Sequence, residues 1–164
     1  MKSAYFYDTM IGKILIAEDG NGITDLRIIP EEGINASDPT RLLNSSYKIC
    51  ETELLNEAAG QLKEYLEGRR KAFEIKLNPA GTPFMRSVWE ALRAIPYGQV
   101  RSYAQVAEAT GNPKACRAVG TACHNNPVLL MIPCHRVIGS DGSLTGFAAG
   151  LEVKKQLLKL EQKG

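Results

Sequence analysis

Residues 101–126 read RSYAQVAEATGNPKACRAVGTACHNN, and how this stretch divides decides what kind of domain surrounds it. Ser102, with Gln105 three residues later, has the form of a capping box, in which two side chains satisfy free N–H groups at a helix start. A short helix therefore begins here. Gly111 and Asn112 break it, and Pro113 suits the first turn of a second helix. Two short helices joined by a tight glycine-containing turn form a helix-turn-helix. On the second helix, Ala115, Ala118, Val119 and Ala122 make a narrow small-residue face suited to close packing on a core. Lys114, Arg117, Thr121 and His124 recur at helical spacing on another face. That face has cations and small polar groups but no acid, as a surface meeting phosphate would; an ordinary solvated helix face reads the same way.

Upstream, NPAGTP (78–83) holds two prolines and a glycine and marks a boundary between residues 1–78 and 79–164. Thr82 can cap a helix that starts with Pro83 and carries Phe84, Val88/Trp89, Leu92 and Ile95 at helical spacing, with Pro96 and Gly98 ending it. Before the boundary, AYFYDT, GKILIAED and ITDLRIIP read as strands, with DGNG (19–22) as a hairpin turn. EEGINASDPT (31–40) reads as a loop. Residues 51–67 show a helical stripe of Leu54/Leu55, Ala58/Ala59, Leu62 and Leu66, which Gly68 stops, and AFEIKL (72–77) alternates like a strand. The fold class is therefore α+β: an N-terminal α/β unit with a small antiparallel sheet and one helix, then a mostly helical C-terminal unit with the helix-turn-helix.

Charge divides along the same line. Residues 1–81 hold 10 Lys+Arg against 13 Asp+Glu, or −3, and residues 82–164 hold 10 against 5, or +5. A basic second half fits a polyanionic partner. Hydrophobic residues at 44% and charged residues at 23% suit a soluble globular protein. No apolar stretch approaches the ~20 residues of a membrane helix, and the first residues lack the apolar run of a signal peptide. The expectation is a cytoplasmic protein without membrane partners.

The four cysteines are Cys50, Cys116, Cys123 and Cys134, with only two histidines and no CxxC pair. This spacing argues against a zinc site, and a reducing cytosol disfavours disulfides. Most of the cysteines then read as small buried hydrophobes. Cys134 stands apart, in MIPCHRVIGSDG (131–142). A thiolate is a strong nucleophile and a thiol a weak one, so a nearby base or cation activates it. Pro133 fixes the direction of entry, His135 supplies an imidazole, and Arg136 a permanent cation. Neighbours on an extended backbone point to opposite sides, so Cys134 and His135 require a bridging water or a bend. A third group should orient the histidine. Glu161 is the candidate: Val153, Leu157/Leu158 and Leu160 form an apolar stripe that can carry it inward, unless it stays solvated on the stripe's edge.

PCHRV, preceded by GNPKACRAVGTACHNNP and followed by TGFAAGLEVKKQLLKLE, closely resembles the O6-alkylguanine-DNA alkyltransferases, also called methylated-DNA–protein-cysteine methyltransferases. The resemblance is strong over residues 82–162 and weaker over the N-terminal strands. It implies a ribonuclease-H-like N-terminal support domain and a self-inactivating DNA-repair protein that needs no cofactor or metal. Cys134 would take the alkyl group from O6 of guanine, less readily from O4 of thymine, after base flipping. His135 would act through water as base, with Glu161 holding its ring. Asn126 matches a hinge between helix-turn-helix and active-site segment, Tyr103 a donor to the flipped base, and Arg117 a finger that fills the vacated stack. The recognition helix would enter the minor groove of double-stranded DNA, with the protein a monomer. Ser102, Lys114, Ala118, Thr121, Arg136, Val137, Phe147 and Ala148 complete the expected substrate and DNA contacts.

Two departures from the family pattern stand out. Phe147 and Ala148 replace the tyrosine and serine that some members carry over the pocket, and the small Thr145–Gly150 loop implies room for bulkier alkyl groups. The N-terminal half also lacks the Cys/His set that binds structural zinc in some members. Two other readings compete: a lesion-sensing DNA-binding module without chemistry, and a Cys-His hydrolase. Cys134 itself argues against the first, and the second would turn over repeatedly.

Overall fold

A computed structural model of the chain describes residues 2–29, 46–144, 147 and 150–163. The chain forms two compact units, residues 1–79 and 80–164.

In the first unit, β1 (Lys2–Thr9), β2 (Gly12–Glu18) and β3 (Ile23–Ile28) pair antiparallel. The DGNG turn closes the second hairpin. Gly22 is required there by close approach, because a Cβ would lie 2.9 Å from the Lys76 carbonyl oxygen. The sheet is mixed rather than purely antiparallel: β4 (Tyr47–Ile49) adds a parallel strand on β1, giving the order β3-β2-β1-β4. With three residues, two of them exposed, β4 has no alternating pattern to betray it. The loop expected over 31–40 lies outside the described residues. Helix α1 (Glu53–Leu66) begins where the Thr52 hydroxyl accepts from the Leu55 N–H and buries Leu55, Ala58, Leu62 and Tyr65. Gly68, at φ +79°, ends it in a left-handed turn that costs glycine little.

The strand expected over 72–77 is not formed. Only Leu77 makes an isolated bridge, to Ile23. The Gln61 side chain explains the loss: it donates to the Glu74 carbonyl at 3.1 Å and accepts from the Glu74 N–H at 2.9 Å. Backbone groups that a strand would pair are satisfied by a helix side chain instead.

In the second unit, α2 (Pro83–Arg93) is capped by Thr82 and buries Val88, Trp89 and Leu92. The Trp89 indole donates to the Ala122 carbonyl at 2.9 Å, tying this helix to the second helix of the helix-turn-helix. β5 (Arg101–Ser102) leads into α3 (Tyr103–Ala109), whose Ser102–Gln105 capping box is complete. The second helix of the motif starts later than the sequence suggests: α4 spans Cys116–His124. Pro113 and Lys114 instead form a turn closed by the Ala115 N–H on the Asn112 carbonyl at 3.0 Å. Proline suits such a turn as well as it suits a helix start. The buried face of α4 is Val119, Ala122 and Cys123, and Ala118, placed on that face by spacing, is exposed. β6 (Val137–Ile138) pairs parallel with β5, which sets the segment after Cys134 beside the start of α3. Helix α5 (Leu151–Lys163) follows. No helix among the described residues is long and apolar enough to cross a membrane.

Candidate active site

Asn126, just past α4, organises the chain around Cys134. Its side-chain oxygen accepts from the Val128 N–H at 3.0 Å. Its amide donates to the Ile132 carbonyl at 2.8 Å and to the Cys134 sulfur at 3.2 Å. A single buried residue thus pins both ends of the 127–133 turn and touches the thiol. Within that turn Leu130 takes φ +70° with its side chain buried, a conformation that costs about 1–3 kcal/mol unless its surroundings impose it.

Residues Cys134–Arg136 form one turn of 3-10 helix, which supplies the bend that an extended PCHR would lack. The turn sends His135 and Arg136 inward to a common carboxylate. His135 Nε2 lies 2.8 Å from Glu161 Oε2. Arg136 donates through Nε to Oε1 at 2.8 Å and through Nη2 to Oε2 at 2.9 Å. Its Nη1 donates to the Ile95 carbonyl at 2.7 Å, and its guanidinium carbon lies 5.8 Å from the Tyr97 ring centroid. The sequence places Arg136 against substrate or DNA. In the structure it is buried, and those donors turn inward in a two-pronged pairing with Glu161.

Glu161 is buried, not solvated. The inward line of α5 is Lys154, Leu157 and Glu161, while Val153, Leu158 and Leu160 are only half-buried. An apolar count alone puts the buried face too far around the helix, because two charged residues occupy it. Lys154 is the site residue that sequence reasoning missed. It is fully buried, and its ammonium donates to the Val137 carbonyl at 2.6 Å. Its position seven residues before Glu161, on the same helical line, was the available signal.

The electrostatics favour neutral resting partners. Burial pushes the Cys134 thiol from its ordinary 9.0 up to about 11, although the Asn126 donor and the Lys154 charge pull it down. Burial likewise raises Cys123 to about 12. Burial holds the His135 imidazole below its ordinary 6.5, outweighing the upward pull of Glu161. Burial also lowers Lys154, opposed by the two sulfurs it faces. The site therefore holds a protonated thiol beside a neutral imidazole. A thiolate–imidazolium pair formed there would be flanked by the Lys154 cation and the Glu161 carboxylate, which favour those charges.

The remaining expected residues are distributed around this centre. Lys114, Arg117, Ala118, Thr121 and His124 are all exposed. Tyr103 is half-buried, and a Cβ on Gly120 would sit 4.0 Å from its ring, so the small residue lets the tyrosine lie close to α4. The Ser102 hydroxyl accepts from the Gln105 N–H as the α3 cap. Val137 is buried. The Phe147 ring stands edge-on to His135 at 6.4 Å. Ala148 lies outside the described residues. Among the described residues, no group of three His, Cys, Asp or Glu is placed to hold a metal ion.

Two family models match the chain: the DNA-binding domain of 6-O-methylguanine DNA methyltransferase over residues 83–163, and its ribonuclease-like domain over residues 4–79. A methylated-DNA–protein-cysteine methyltransferase of Methanosarcina acetivorans is 44% identical, over 94% of this chain and 95% of that protein. The chain belongs to the 6-O-methylguanine DNA methyltransferase family. The constitutive methylated-DNA–protein-cysteine methyltransferase of Bacillus subtilis is also 44% identical, over 94% of this chain and 92% of its own. The crystal structure of Mycobacterium tuberculosis OGT in complex with DNA superposes with a TM-score of 0.86 at 35% identity, covering 98% of this chain and 93% of that one. The segment of this chain matched as DNA-binding holds both the exposed Lys114 and Arg117 and the buried Cys134 network.

Proposed function

We propose that the protein repairs DNA by direct reversal, moving an alkyl group from O6 of guanine, or less readily O4 of thymine, onto Cys134 in one irreversible step. The observation that carries this reading is the Cys134 sulfur, held at 3.2 Å by Asn126 and followed in the chain by a His135–Glu161 pair at 2.8 Å.

O6 of guanine lies inside the base stack, so a buried sulfur reaches it only after the base is extruded. Arg117, long and exposed on α4, fills the vacated stack and offsets part of the cost of a few kcal/mol. The exposed small residues Ala118 and Thr121 suit entry into a minor groove only ~6 Å wide, while Lys114 and the segment at Ser102 meet phosphates. Tyr103 borders the extruded base, and Phe147 walls the pocket. Cys134 passes its proton through a water to His135, whose imidazolium Glu161 stabilises. The sulfur then attacks the alkyl carbon, the S–C bond forms as C–O breaks, and the departing guanine anion takes a proton from Tyr103. Arg136 keeps Glu161 ionised and aimed. A single chain completes the reaction as a monomer.

Titrating the protein with duplex carrying O6-methylguanine tests this. Lesion loss should stop at one equivalent per chain, and continued loss with excess substrate would contradict it.

A further inference from the structure

Helix α5 has two opposed faces. Lys154, Leu157 and Glu161 point into the site. At ~100° per residue, Lys155, Lys159 and Lys163 fall on the opposite side, and all three are exposed. They recur every fourth residue, so their Cα atoms are spaced ~6 Å apart along the axis. Like charges at this spacing destabilise a helix. Among the described residues none of the three lies within 4.0 Å of a carboxylate; the ion pairs of residues 80–164 all go to Glu161. In residues 1–79, by contrast, Lys2, Lys13, Arg27, Arg69 and Arg70 each pair with a carboxylate. Exposed Glu152, three residues before Lys155, favours that lysine, and Lys163 gains from the helix dipole at the last turn, so Lys159 is left between two like charges without either support.

The geometry points to a second nucleic-acid face: the Lys155–Lys159–Lys163 ladder binds the phosphate backbone of duplex DNA, separately from α4. A ladder ~12 Å long faces several charges of a duplex that carries one per ~1.7 Å of axis. DNA is favoured over an acidic protein because this same unit already presents exposed Lys114 and Arg117 without acids on α4. The inference needs DNA as partner but not the Cys134 chemistry.

The test compares the full chain with its K155Q/K159Q/K163Q variant on a short unmodified duplex, measuring affinity against salt concentration. Each phosphate that the variant leaves unneutralised should reduce the slope of log K against log salt by ~0.9, so a drop of about 2–3 is expected. The K155R/K159R/K163R variant should keep the original slope. Alkyl uptake from a lesion-bearing oligonucleotide at saturating protein should be unchanged in the glutamine variant, which also shows that it folds. An unchanged slope in that variant would overturn the proposal. A reduced slope in a protein that takes up no alkyl group would instead sink the repair reading and leave the ladder standing.

Discussion

In residues 1–79, Arg69 and Arg70 reach Glu64 and Glu67, and Lys2 and Arg27 share Asp25. In residues 80–164 the ion pairs among the described residues converge on the single buried Glu161, while Lys114, Arg117, Lys155, Lys159 and Lys163 stand exposed. Among the described residues, five cations of the first unit (Lys2, Lys13, Arg27, Arg69 and Arg70) pair with its own carboxylates, and the exposed pairs contribute little. The second leaves Lys114, Arg117, Lys155, Lys159 and Lys163 exposed while Arg136 and His135 meet Glu161 in its interior. The contrast separates the two units more sharply than secondary structure does.

The contrast is broken most severely by Glu161→Gln. Arg136 would keep its buried charge without a counterion, costing about 3–5 kcal/mol. His135 would lose the carboxylate that stabilises its charged form, slowing transfer roughly 10²-fold. Denaturant unfolding and single-turnover kinetics measure the two effects, and a fully stable, fully active variant would refute the network. Asn126→Ala comes next. It strands the Val128 N–H, a buried group whose loss of a partner costs about 1–3 kcal/mol, while the Ile132 carbonyl keeps the Cys134 N–H. Melting should shift down and transfer should slow, since the thiol also loses its donor.

Alkali sharpens the contrast through Trp89, the one tryptophan, which reports on residues 80–164. Cys134 keeps its proton up to about 11 in the folded chain, against an ordinary 9.0. The unfolded chain therefore loses that proton first, so the Cys134 contribution to stability is full below pH 9 and declines as pH rises toward 11. On the acid side, His135 is held below 6.5, so stability falls as pH drops below that value. Unfolding followed by Trp89 fluorescence across pH checks both limbs. A stability that rises between pH 9 and 11 would contradict the buried neutral thiol. The smallest effect belongs to the first unit: Arg70→Ala, which breaks a partly exposed pair with Glu64, should cost under about 1 kcal/mol and leave alkyl transfer unchanged.

Local signals were legible wherever the cause was local. Thr82 and Pro83 announce α2, Ser102 and Gln105 announce α3, and the strands of residues 4–28 are readable from their β-branched and aromatic residues. What escaped depends on distant partners. Residues 72–77 have a strand's pattern, yet Gln61 on another element takes the Glu74 backbone groups. Lys154 and Glu161 look like surface residues of an amphipathic helix until Val137, His135 and Arg136 are folded against them. Arg136 reads outward beside a nucleophile and turns inward because Glu161 is there to receive it. Pattern reading assigns charged residues to solvent, and an active site is where that assignment fails.

The central claim is that one sulfur, Cys134, ends the reaction covalently alkylated. Intact-mass measurement after mixing with O6-methylguanine duplex should show one added methyl group in the native chain and none in Cys134→Ala. A methyl group on that variant, or an unmodified native chain that has cleared its lesions, would contradict it.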